Sequence, residues 1–213
     1  GQHREAIASY KEALRLKPGS AETHYYLGNS LYNVGIALKD RGEPSMAREQ
    51  YRKAIASYKE AIRLKPGLAE AHNNLGNTYD GVGQHQNAIA SYTKAIRLKP
   101  GFAAAYFNLG TTYKRLGQYQ DAITSYLKAI RIKPDFALAH NNLGNAYDAL
   151  GLYQDAITSF KETLRIEPSN TLARNRLNEL EQKLVDERLA RKQRRFEEEQ
   201  KKQEEERVAR EKK

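Results

Sequence analysis

Apolar residues recur along most of this chain at helical spacing, in pairs of short stretches divided by a glycine. In the stretch starting at Ala69, Leu75, Gly76 and Tyr79 mark one apolar stripe and Ala88, Tyr92 and Ala95 a second, with Gly83 between them. Such grouping predicts two short amphipathic helices joined by a tight turn. The pattern returns at Leu109, Gly110, Tyr113, Gly117, Ala122, Tyr126 and Ala129, and again at Leu143, Gly144, Tyr147 and Gly151. A glycine inside a helix costs about 1 kcal/mol relative to alanine, so its recurrence predicts a neighbouring helix in close approach. Pro66, Pro100, Pro134 and Pro168 follow the second stripes at 34-residue intervals. Proline cannot continue a helix and turns the preceding residue away from the α region, so each one ends a unit.

A fixed 34-residue period describes stacked units rather than one globular core, and an array offers extended surface rather than a catalytic pocket. The expected fold is all-α, a helix–turn–helix repeat solenoid followed by a long charged C-terminal helix. Residues 1–18 read as the second helix of a truncated unit, 19–67 as a unit with both helices lengthened, and 68–101, 102–135 and 136–169 as three regular units. Residues 170–189 read as a capping helix and 190–213 as a charged helical tail. Ala6, Tyr10 and Ala13 in the first segment require a covering helix, from which the chain is expected to be a piece of something longer upstream.

The lengthened unit breaks the period, because Pro18 and Pro66 stand 48 residues apart, fourteen too many. Its first stripe runs from His24, Leu27, Gly28 and Tyr32 past Gly35 and Leu38 to a stop at Gly42-Glu43-Pro44. The second stripe holds two overlapping copies of the seam, Ala47-Tyr51-Ala54 and Ala54-Tyr58-Ala61. One heptad added to each helix accounts for the excess and would project the hairpin about 10 Å beyond its neighbours. Such a projection reads either as a neutral surface insertion or as a wall that contacts a specific partner.

These residues in this order resemble the tetratricopeptide repeat family over roughly residues 2–170. Thr163 replaces an alanine of the family pattern, and His72 and His140 stand where the family more often has Trp or Tyr. The resemblance implies a right-handed solenoid whose first helices line a concave ligand-binding face. It also implies that positions two, five, six, nine and twelve of each unit face that groove. The peptide-binding residues expected from it are Asn73, Asn74, Asn77, Phe107, Asn108, Thr111, Lys114, Asn141, Asn142 and Asn145, with Glu70, Asp80 and Asp148 at the remaining charged positions. Asn74, Asn108 and Asn142 form a ladder, one per unit, interrupted at Tyr26. A carboxamide both donates and accepts, so such a row suits an extended peptide backbone without dictating its sequence. The ladder is similar to that in the repeat region of O-linked N-acetylglucosamine transferase; the alternative is asparagine tolerated at a crowded helix interface. The lysine of the family's carboxylate-clamping members is missing, and Lys114 with Arg115 reads as a solvated helix end.

Net charge is +10, yet residues 177–213 hold twelve Lys/Arg against eleven Asp/Glu, so the excess lies in the repeats. Much of it is Arg15, Lys17, Arg63, Lys65, Arg97, Lys99, Arg131, Lys133 and Arg165, in the last turns of second helices. Cations there favour the helix dipole, a reading preferred over nucleic-acid binding. There is no cysteine, hence no disulfide framework or thiolate metal site. No apolar run approaches the length that spans a bilayer, and the first residues given show no signal-peptide pattern. An intracellular, cytoplasmic protein is expected, with a cytoskeletal or ciliary setting as a variant.

His24, His72 and His140 recur at one packing position and read as core residues, leaving no metal site, cofactor or catalytic group expected. After the Ser169-Asn170-Thr171 cap signals, Leu172, Leu177, Leu180 and Leu184 give a capping helix an inner stripe. Glu187–Arg191, Glu197–Lys201, Glu198–Lys202 and Glu206–Arg210 are i, i+4 pairs along the tail, and no sustained heptad seam supports a coiled coil. The function expected is a non-catalytic scaffold that binds a protein or extended peptide. The alternatives are a structural component of a large multi-protein assembly tethered by the long helix, and the substrate-recruiting region of a larger enzyme.

Overall fold

The computed structural model describes residues 2–211, without the side chains of Gln2, Val208, Ala209 and Glu211. Among the described residues ten helices follow in order: α1 (Gln2–Leu16), α2 (Ala21–Asp40), α3 (Pro44–Leu64), α4 (Ala69–Gly81), α5 (His85–Leu98), α6 (Ala103–Arg115), α7 (Tyr119–Ile132), α8 (Ala137–Ala149), α9 (Tyr153–Ile166) and α10 (Thr171–Glu211). Each unit packs its first helix on its own second, and that second on the first helix of the next unit, from α1 on α2 through to α9 on α10.

The close approach predicted from the stripe glycines has a definite partner. A Cβ on Gly76 would lie 2.6 Å from Tyr92, on Gly110 2.8 Å from Tyr126, and on Gly144 2.9 Å from Phe160. The large ring of each seam therefore fills the space that glycine leaves, flanked by buried Ala88 and Ala95, Ala122 and Ala129, or Ala156 and Thr163. The turn glycines do different work. Gly42, Gly83, Gly117 and Gly151 have φ of +78, +81, +73 and +73°, the left-handed region open to glycine. There the next N–H turns back to close the helix end, as from Gln84 to the Tyr79 carbonyl at 2.8 Å.

In the anomalous unit α2 has 20 residues and α3 has 21, against 13 for α4 and 14 for α5, seven more in each. Gly35, at the register of the turn glycine Gly83, stays helical and buried. The added part is packed: Leu38, Ala47 and Tyr51 form its own cluster with Tyr32, Val34 and Val82. Through Val82 it rests on the turn after α4.

Unit junctions share a contact from position four. His24, His72 and His140 each donate Nε2–H to the carbonyl of the proline six residues earlier, Pro18, Pro66 and Pro134, at 3.0, 3.2 and 3.0 Å. Arg174 makes the same bond to Pro168. The histidines are thus structural links between one helix end and the next helix.

Asn170 accepts the Ala173 N–H at 3.0 Å and caps α10. Ala173, Leu177 and Leu180 join the cluster of Ala156, Ile157 and Phe160, while Asn178 and Glu181 face outward and exposed. Beyond them, among the described residues, two of the four i, i+4 pairs expected from the sequence form. Glu187–Arg191 and Glu206–Arg210 approach to 3.6 and 3.9 Å, but Glu197 and Glu198 do not reach Lys201 and Lys202; Glu197 instead accepts from Gln193 at 3.3 Å. Exposed long side chains gain little by holding one geometry.

Candidate functional site

The first helices α2, α4, α6 and α8 lie side by side and present the ladder residues along one face. At its N-terminal side the asparagines are consumed by one another. Tyr58 donates to Asn29 Oδ1 at 2.7 Å, and Asn74 donates to the same oxygen at 2.8 Å and to the Tyr25 hydroxyl at 3.3 Å. Asn73, which is buried, donates to Asn74 Oδ1 at 3.0 Å and accepts from Asn108 at 3.1 Å. Asn77 accepts from Tyr92 at 2.8 Å. Burial pushes the Tyr58 and Tyr92 hydroxyls well above the ordinary tyrosine pKa, and that of Tyr126 up to about 12, so all three remain neutral donors. Thr111 accepts from Tyr126 at 3.3 Å.

The other half of the face is open. Asn141, Asn142 and Asn145 on α8 are half-buried. Among the described residues Asn142 has one partner, the Lys114 ammonium, which donates to its Oδ1 at 3.2 Å. Asn141 and Asn145 have no side-chain hydrogen bond there. The ladder is therefore two things: an internal brace across α2, α4 and α6, and a set of available amides on α8.

Within the braced half lies a cleft of about 400 Å³. Tyr32, Ile36, Lys39 and Asp40 of the lengthened α2 form one wall, Asn77 and Asp80 of α4 the floor, and Phe107, Asn108, Thr111 and Arg115 of α6 the far side. The insertion and the concave face thus meet in one site. Phe107 is held there by ring contacts with Tyr126 and Phe136, centroids 5.9 and 4.9 Å away.

Asp80 anchors the floor. It accepts from His85 Nδ1 at 2.8 Å and Thr112 at 3.2 Å, and pairs with Arg115. Arg115 is thus an exposed helix end that also forms an inter-repeat ion pair, and Lys114 is half-buried against α8. No helix-end signal in the sequence announces either, because the contacts cross between units. Asp148 similarly pairs with Arg176, which replaces asparagine at the ladder position of α10.

Five of the nine basic residues ending the second helices are matched by acids. Arg15, Arg63 and Arg165 meet Glu12, Glu60 and Glu162 at 2.6–2.8 Å, and Lys65 and Lys99 reach across to Glu22 and Glu70 at 3.0 and 2.8 Å. Among the described residues no cluster of three or more His, Asp or Glu could hold a metal ion, and no helix is long and apolar enough to cross a membrane.

Helix hairpins stacked in register, with a grooved face made by alternate helices, define a helical-repeat solenoid. Profiles of the tetratricopeptide repeat match residues 1–35, 45–81 and 112–151, residues 69–102 and 137–170, and residues 27–62 and 91–124. The chain belongs to the tetratricopeptide repeat family. Comparison with curated proteins gave no significant match. Among solved structures, MamA is 33% identical with a TM-score of 0.64, over 78% of this chain and 88% of that one. The first TPR of Spaghetti (RPAP3), bound to the HSP90 peptide SRMEEVD, is 27% identical with a TM-score of 0.54, over 55% of this chain and 93% of that one. YrrB, described as a TPR protein with an unusual peptide-binding site, shares the fold at 22% identity and a TM-score of 0.64, over 82% of each chain.

Proposed function

We propose that this chain is an interaction scaffold that holds an extended polypeptide segment along its concave face, with no chemistry of its own. The observation that carries the reading is the cleft between α2 and α6, followed along the same face by three half-buried carboxamides of α8 that have capacity to spare. A peptide lying across them would place a side chain in the cleft and exchange backbone hydrogen bonds with Asn141, Asn142 and Asn145. Asn74 and Asn108 would support this indirectly, by fixing the spacing of α2, α4 and α6. The peptide held by the similar repeat domain of RPAP3 supports the same use of the fold here.

An array of immobilised random dodecapeptides, probed with wild type and with Asn141, Asn142 and Asn145 changed together to alanine, tests this. The bound set should shrink sharply in the variant while helicity is unchanged. An identical bound set would sink the groove reading. A second reading, a component of a larger assembly tethered by α10, is favoured by Leu189 and Phe196, which are 59 and 61% exposed on the part of that helix beyond the array.

A further inference from the structure

In the three regular units four of the groove positions carry charge, and three of these charges are matched within the protein. Glu70 pairs with Lys99, Asp80 with Arg115 and His85, and Asp148 with Arg176. Lys114 is the fourth. Among the described residues it meets no carboxylate, only the neutral Oδ1 of Asn142 at 3.2 Å, and it is half-buried with Arg115 beside it. Burial, with the Arg115 charge, pulls its ammonium below the ordinary lysine pKa. A half-buried cation without a counter-ion is unfavourable, and an ammonium has three donors, of which Asn142 takes one.

We infer that Lys114 is the subsite for a carboxylate side chain of the bound segment, so that the groove selects an acidic residue set a fixed distance from a bulky one. This rests on the groove reading above. The bulky residue would enter the cleft against Tyr32, Ile36 and Phe107, where the walls are aromatic and aliphatic. Lys114 lies at the next junction, between α6 and α8. Packed helices stand about 8–10 Å apart, and an extended chain advances about 3.3 Å per residue. The acidic residue therefore falls about three positions from the bulky one. Lysine as a point charge imposes no forked geometry, so glutamate and aspartate are both accepted.

Calorimetric titration of the full chain with dodecapeptides of Gly, Ala and Ser tests this. Each carries one Phe and one Glu separated by two residues, in either order, beside versions with Glu→Gln. One order should bind at least about tenfold more tightly than its Gln version, and the difference should vanish in Lys114→Gln and persist in Lys114→Arg. Equal affinity of Glu and Gln peptides for wild type would overturn the acidic preference and leave the groove reading standing. A preference that survives in Lys114→Gln would place the carboxylate elsewhere and overturn the assignment. Absence of binding by every peptide would overturn both readings.

Discussion

Gly35 faces the ring of Tyr51, and a Cβ built on it would lie 2.6 Å from that ring. Seven residues earlier Gly28 faces Tyr58, seven residues later in the opposite helix, with the corresponding separation at 2.7 Å. The antiparallel hairpin has thus duplicated a complete packing layer, ring and recess together. Alanine at position 35 would gain about 1 kcal/mol of helix propensity but would force the rings apart, and overpacking costs about 1–3 kcal/mol. Gly35→Ala should lower the urea midpoint. Gly81→Ala is the control, because its Cβ would stand 3.8 Å from Tyr51, an ordinary contact. That variant should melt no earlier than wild type.

A duplicated layer is also one that can be removed whole. Deleting residues 36–42 and 47–53 joins Val34-Gly35 to Glu43-Pro44-Ser45-Met46-Ala54, in register with Val82 to Ala88 of the regular unit. Gly35 would then become the turn glycine, and Pro44 would fall at the first residue of the second helix, where it is tolerated. The deletion should keep helicity per residue and a cooperative melt, measured by circular dichroism. Loss of the cooperative melt would show that the added layer is needed by the array. The same variant lacks Ile36, Lys39, Asp40 and Tyr51 of the cleft wall, so its affinity for any peptide that fills the cleft should fall.

What the sequence displays and what it hides divides along the range of the contacts. The helices, their turns, the seam rings and the doubled heptads are all local patterns, and residue spacing alone exposes them. Asn74, Asn108 and Asn142 are legible as a row, but not their different fates. The first two are tied into a brace with Asn29 and Asn73, and the third meets Lys114. Asn74 reaches Tyr25 and Asn29 of the irregular unit and Asn108 reaches Asn73, whereas Phe107, which cannot accept, stands at the corresponding place before Asn142. The Asp80–Arg115 pair spans 35 residues of sequence, and its formation depends on how one unit turns against the next. The bond from position four to the proline carbonyl was hidden in plain view: a donor side chain six residues after each of Pro18, Pro66, Pro134 and Pro168.

His72 gives that junction a pH signature. Burial, the leading cause, lowers its pKa below the ordinary 6.5, against the raising effect of its bond to the Pro66 carbonyl. A depressed pKa means that the folded chain takes up the proton less readily than the unfolded chain. The stability due to the neutral ring is therefore complete above pH 6.5, starts to be lost below it, and is gone once the pH has passed the folded-state pKa. Thermal midpoints between pH 7.5 and 5.5 should fall more steeply for wild type than for His72→Tyr, which copies Tyr106 of the next unit. Parallel slopes would show that the ring carries no such penalty.

The C-terminal helix should divide sharply into a part the array needs and a part it does not. Leu180 is 3% exposed and packs with Phe160 and Ile157, closing the last unit. In a solenoid each interface adds to the stability of its neighbours, so an open end is felt along the array. Leu180→Ala should cost about 2–5 kcal/mol and lower the melting midpoint. Truncation after Leu189 removes a segment whose described side chains are all exposed, and whose ion pairs are individually worth at most about 1 kcal/mol. The truncated chain should melt at the wild-type midpoint and lose only the helical signal of the missing residues. A drop comparable to that of Leu180→Ala would mean that the tail folds back on the array, which its exposure argues against.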